Sequence, residues 1–156
     1  MACHILAKLE AERFRQVLAS IKGDIMARVL LLGYAPENLD FSDPAFPPGM
    51  TVEKVHGGVA VAMRQFAERG WEADVCLIQP DETAGAAAER QLTSKSYDCV
   101  VVGGGVRLAT GGLALFEVVI NAIHKAAPGA AIAFNTRPDD SADAAARWLG
   151  AGTRPV

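Results

Sequence analysis

No run of apolar residues in this chain approaches the roughly 20 that a membrane-crossing helix needs. Its first residues carry charges rather than the apolar core of a signal peptide. An excess of positive charge is also missing. Fifteen Lys and Arg stand against 18 Asp and Glu, a net charge of -3, so no basic field points to nucleic acid or to an anionic membrane surface. Cysteine is sparse: Cys3, Cys76 and Cys99 show neither CxxC spacing nor a disulfide framework, the usage expected in a reducing cytoplasm. No HxH or HExxH cluster is present, and a metal centre drawn from His56, Asp40 and Asp43 would compete with the easier role of those aspartates as turn formers, so no metal is expected. Internal repeats and low-complexity segments are absent. What is left is a chain of 156 residues, 51% hydrophobic and 21% charged, ordinary for a globular protein and long enough for one sizeable core.

Two periodicities alternate along it. Arg28 to Gly33, Asp74 to Gln79, Asp98 to Gly103 and Ala130 to Asn135 are continuous apolar runs, read as strands buried on both faces. Helical spacing fills the gaps. Thr51 caps a helix bearing Val52, Val55, Val59, Met63 and Phe66 and stopped by Gly70. Thr83 to Lys95 and Gly112 to Ala127 are the next two, and Ser141 caps a last one bearing Ala142, Ala145, Trp148 and Leu149. This βαβαβαβα order predicts an α/β fold, a three-layer open parallel sheet of four strands in the order 2-1-3-4, which is a shortened flavodoxin-like arrangement. Cys76 and Cys99 then lie on strands either side of the first, too far apart for a disulfide. In that order one face of strands 3 and 4 lacks cover unless the terminal helix or the N-terminal segment supplies it. Ile5, Leu6, Leu9, Phe14, Val17, Leu18 and Ile21 form one helical stripe, so residues 1–25 are expected to be an extra N-terminal helical extension. It precedes a single Rossmann-like domain over 26–150, with 151–156 as a tail.

Ligands of open parallel sheets bind beyond the C-terminal strand ends, where the order reverses, and four loops leave that edge here. The first, Tyr34 to Met50, holds four prolines and reads either as a stiff lid over a small ligand or as a rigid crossing with Phe41 and Phe46 tucked into the core edge. It leads to His56, beside Gly57-Gly58. Two glycines early in a helix cost about 1 kcal/mol each, which a close backbone approach to a strand or a ligand would offset. His56 is either a general acid or base, with Asp40 as the alternative, or a surface residue. The third loop, Gly103-Gly104-Gly105-Val106-Arg107, offers donor amides and a guanidinium to a carboxylate or phosphate, or serves as a tight packing turn. The fourth presents Asn135, Thr136 and Arg137, the last free for an anion or paired with Asp139 or Asp140. The first turn lacks G-x-G-x-x-G and the third lacks a Walker lysine, which disfavours a dinucleotide and a nucleotide P-loop. No cofactor is identified by these residues.

The run from Tyr97 to Thr136 resembles response-regulator receiver domains and flavodoxin-like proteins at the level of fold. The receiver's phosphorylation chemistry is not implied: Gly103 stands where that family has its aspartate, Gly33-Tyr34 where it has an acidic pair, and no fifth strand supplies its lysine. Thr136 alone matches, at the switch hydroxyl. Flavodoxin's Ser- and Thr-rich phosphate loop is absent too. Gly33 to Glu37 with Asp40 to Pro44, and Ala133 to Pro138, resemble an uncharacterised bacterial family of small Rossmann-like proteins, a likeness over about 26–150 that implies no established activity. The expectation is therefore a small anionic ligand held by Gly103, Gly104, Gly105, Arg107, Asn135, Thr136 and Arg137, with His56 or Asp40 for any proton transfer. The alternative is a non-enzymatic, receiver-like module acting as a homodimer.

Overall fold

The computed structural model describes residues 10–14 and 26–150. Four parallel strands form one sheet in the order β2-β1-β3-β4, as the alternation predicts. They are β1 (Arg28–Tyr34), β2 (Glu72–Ile78), β3 (Cys99–Val102) and β4 (Ala131–Phe134). Every residue of β3 is buried, because helices cover both faces and β-branched valines fill the space between them. Leu30, Leu32, Val100 and Val102 point to one layer, formed by α2 (Ala84–Ser94) and α4 (Leu113–Ala126). Val29, Leu31, Cys99 and Val101 point to the other, where Ala62 and Phe66 of α1 (Val52–Glu68) meet Ala142, Ala144 and Ala145 of α5 (Ser141–Leu149).

The open face of strands 3 and 4 is thus closed by the terminal helix, α5. Arg69 joins the two helices of that layer, donating to the Ala142 carbonyl and the Asp143 carboxylate while its guanidinium lies 5.5 Å from the Trp71 ring centre. Of the predicted N-terminal helical stripe, residues 10–14 are helical with Phe14 exposed; the rest of it, and the tail 151–156, lie outside the described residues. Cys76 pairs in register with Leu32 and Cys99 with Val29, on opposite sides of β1, and both thiols are free. Burial pushes the Cys99 thiol up to about 12.

Three local expectations change. The glycine run is not an open turn: Gly103 is extended and Gly104–Leu108 already forms a short helix, α3, closed by Val106 N–H on the Gly103 carbonyl. Ser141 is not the cap of α5 but its first residue, because a 3-10 turn at Pro138–Asp140 precedes it and turns its hydroxyl inward. β2 starts at Glu72, earlier than its apolar run suggests, because the Glu72 amide bonds the Ala27 carbonyl and its carboxylate pairs with Arg28 at 2.9 Å.

The two glycines of α1 part company. A Cβ on Gly58 would lie 2.8 Å from Pro138 Cβ and 3.5 Å from the Asp139 amide nitrogen, so this glycine lets α1 touch the turn after β4. Nothing lies within 4 Å of a Cβ on Gly57. Gly58→Ala should therefore destabilise the protein by about 1–3 kcal/mol through overpacking against a rigid ring. Gly57→Ala should stabilise it by about 0.5–1 kcal/mol through helix propensity. Urea denaturation of the two variants tests both signs.

Candidate functional site

The strand order reverses between β1 and β3, and a crevice opens at their C-terminal ends. Its free space, counted to the open mouth, is about 640 Å³. The floor is sheet: Leu31 and Gly33 of β1, Leu77 of β2. Val55 and Val59 of α1 form one wall, and Phe41, Phe46, Pro47 and Met50 of the long first loop form the roof. The polar end is built by Gly103, Gly104 and Gly105 together with Asn135, Thr136 and Arg137. Among the described residues Arg137 is the one charged side chain on the lining, and no Asp or Glu lines the crevice.

Proximity explains one glycine of the run, Gly105. Members of the run do not have positive φ, which among the described residues is confined to Gly49, Gly70 and Gly111. A Cβ on Gly105 would instead stand 3.0 Å from Leu39 Cδ1, and one on Gly103 would stand 3.4 Å from Gly33 Cα. The roof therefore crowds a side chain at Gly105, whereas a Cβ at Gly103 would be in ordinary contact with the neighbouring strand. The Gly103 amide is used by the sheet, donating to the Leu32 carbonyl at 2.8 Å. The Gly104 and Gly105 amides open α3, where an α-helix provides no internal acceptor.

The structure brings six of the expected residues to this crevice and leaves three outside it. Gly103, Gly104, Gly105, Asn135, Thr136 and Arg137 line it; Arg107, His56 and Asp40 do not. Arg107 turns to β4 and donates to the Asn135 carbonyl at 2.7 Å. His56 Nε2 lies 2.5 Å from Glu37 Oε1, a contact that holds the Glu37 carboxyl below its ordinary range. Asp40 accepts from the Ser42 amide and hydroxyl, which lowers its carboxyl in the same way and commits it to a turn. Among the described residues no three His, Cys, Asp or Glu side chains gather as a metal site.

The fourth loop is tied internally. Asp140 accepts from the Thr136 hydroxyl and amide and from the Arg137 amide, while Arg137 Nε meets Asp139 at 3.2 Å. Asn135, 2% exposed, donates from Nδ2 to Ser141 Oγ at 2.9 Å, and its Oδ1 has no donor among the described residues. Ser141 was not legible as a site residue, because a spacing of six along the chain matches no local motif. Leu39, Met50, Val55, Val59, Leu77 and Leu108 were likewise missed, since apolar residues in a site look like core from sequence.

The long loop is both cover and fixed crossing. Phe46 is buried and meets the Phe41 ring edge-on at 5.6 Å, and both rings face the crevice. Among the described residues four side-chain tethers hold the loop: Glu37 to His56, Asn38 to Gln79, Asp43 to Thr110, and Lys54 to the Gly49 carbonyl. No protein-family model matches the chain, and no curated protein matches it either.

Asp43 makes two bonds to Thr110, where each of the other tethers makes one. It accepts from the Ala45 and Thr110 amides and the Thr110 hydroxyl, which hold its carboxyl below the ordinary 3.8. A depressed folded pKa contributes stability that is present above the unfolded value and is lost as pH falls through the folded one. Stability should therefore drop as pH is lowered from about 4, and Asp43→Ala should flatten that part of the profile. Urea midpoints measured across acid pH check this; an unchanged slope in the variant would remove Asp43 as the tether.

Proposed function

We propose that this protein binds a small molecule carrying a carboxylate or phosphate on an apolar body, in the crevice at the C-terminal edge of the sheet. The supporting observation is the character of the lining: apolar over floor, wall and roof, with a single cation and two amides without helical acceptors at one end. A pocket of that kind fixes orientation with few polar groups and takes its affinity from apolar contact. In this reading Gly104, Gly105 and Arg137 meet the anion, while Thr136 shapes the end of the crevice with its hydroxyl and amide engaged by Asp140. Gly103 contributes close backbone packing, and Arg107 acts as a positioning residue through the Asn135 carbonyl. His56, paired with Glu37 outside the lining, takes no part in this binding. The cysteine usage fits a cytoplasmic protein.

A thermal-shift screen of aliphatic carboxylates and phosphates on the full chain should give at least one saturable rise in Tm. Arg137→Ala should then weaken that ligand by about ten-fold, the loss of one charge-assisted contact at an open rim. Unchanged affinity in the variant would remove the anion from this end of the crevice.

A second reading, a receiver-like module working through self-association, draws support from α4, where Leu113 is 70% and Val118 45% exposed. It predicts a dimeric mass in solution that falls to monomer when both are replaced by Glu. A monomeric wild type would end it.

A further inference from the structure

We infer that β2 is a docking edge for a second copy of this chain, the two strands pairing antiparallel about Val75 into one continuous sheet. The pairing needs no ligand in the crevice. The two edges of the sheet differ. β4 is the short one, and because the Ala131 amide donates to the Asp98 carbonyl at 2.9 Å, Ile132 and Phe134 turn their backbone groups outward. Arg147 takes the Phe134 carbonyl at 2.8 Å, so this edge is partly capped. β2 is longer and has neither a proline nor a bulge in its register against β1. The Glu72 amide donates to Ala27 and the Ile78 carbonyl accepts from Ala35, both toward β1. Alternation then turns the amides and carbonyls of Ala73, Val75 and Leu77 outward, where nothing among the described residues pairs with them. The usual guard, a free charge in mid-strand, is neutralised. Asp74 is held by Lys95 Nζ at 3.0 Å and by the Tyr97 hydroxyl at 2.8 Å, and Glu72 is held by Arg28.

The residues of the edge decide its occupant. Identical edges related by a two-fold axis run antiparallel, and outward residues then face one another in hydrogen-bonded pairs. With Val75 opposite its own copy, Ala73 faces Leu77, a small side chain against a large one, and every outward amide and carbonyl of the strand is paired. Asp74 then lies opposite Cys76, and Glu72 opposite Ile78, so no charge directly meets its like. A slip that sets Ala73 opposite Val75 would leave Leu77 unpaired. It would also put Asp74 against its own copy in a close pair, with Cα atoms roughly 4.5 Å apart. The opposite slip, with Val75 facing Leu77, would leave Ala73 unpaired. One register alone satisfies the edge, and it sets Leu77, 38% exposed, against a second chain.

Sedimentation equilibrium of the full chain over a range of concentrations should show a species of double the chain mass. Ala73→Pro removes an amide that β1 does not use, and proline is tolerated on an edge, so the variant should fold and sediment as a monomer. Leu113→Glu, on α4, should leave the dimer intact. In the wild type, hydrogen exchange followed by NMR should slow at least about ten-fold at the Ala73, Val75 and Leu77 amides together as monomer gives way to dimer. A monomeric wild type overturns the pairing, as does a dimer that survives Ala73→Pro or is lost in Leu113→Glu. Slowing confined to Ala73 and Val75, or to Val75 and Leu77, overturns the register centred on Val75. Fast exchange at all three amides in the dimer overturns docking at β2, whether or not Ala73→Pro folds.

Discussion

The hydrogen bond from Arg107 to the Asn135 carbonyl, 2.7 Å long, is the contact on which the upper edge of this molecule depends. β3 and β4 run side by side and then diverge, one chain entering α3 and the other the 3-10 turn at Pro138–Asp140. Without a bridge, two strand ends would leave unpaired backbone groups at a half-buried site, which costs more than most side-chain contacts return. Arg107 supplies that bridge, and Arg147 does the same for the preceding carbonyl of Phe134 at 2.8 Å. With the Asn135 backbone held, its side chain reaches Ser141, Asp140 gathers the Thr136 and Arg137 amides, and Pro138 meets α1 at Gly58. A loop of polar residues becomes a wall.

The layers were legible because they depend on short-range pattern. Four apolar runs without alternation require cover on both sides, and the spacing of Val59, Met63 and Phe66 requires a helix to cover them. The order 2-1-3-4 follows from right-handed crossovers, and it leaves the space that α5 fills. What the pattern could not supply was the purpose of individual glycines. Gly57 and Gly58 are adjacent and alike in sequence, yet one faces open space and the other a proline ring from a loop about 80 residues away. The same holds for Gly105, whose missing Cβ makes room for Leu39. Close approach is a property of the assembled chain.

The location of the site was likewise readable from topology, and its chemistry only in part. Six of the residues gathered at the crevice stand at strand ends, where a parallel sheet puts its ligands. Arg107 and His56 looked like the most reactive groups and turn away, because each has an acceptor close by in space and distant in sequence: the Asn135 carbonyl and the Glu37 carboxylate. A guanidinium can pair with backbone as readily as with a ligand, and residue type alone does not say which.

Rigidity ties these features together. The roof is held at Glu37, Asn38 and Asp43, and the polar end at Asn135, Asp140 and Ser141, so both sides of the crevice have their geometry before anything enters. A site of that kind loses little order on binding, and its selectivity comes from unmet polar groups at fixed positions rather than from closure around the ligand. Tethering by exposed carboxylates also means that the roof is held by charge-assisted bonds while the floor is held by packing. Acid would therefore loosen the cover, and it would also release Asp74 of β2 from Lys95 and Tyr97, so the entrance and this outer strand are the parts of the molecule whose order depends on solution conditions.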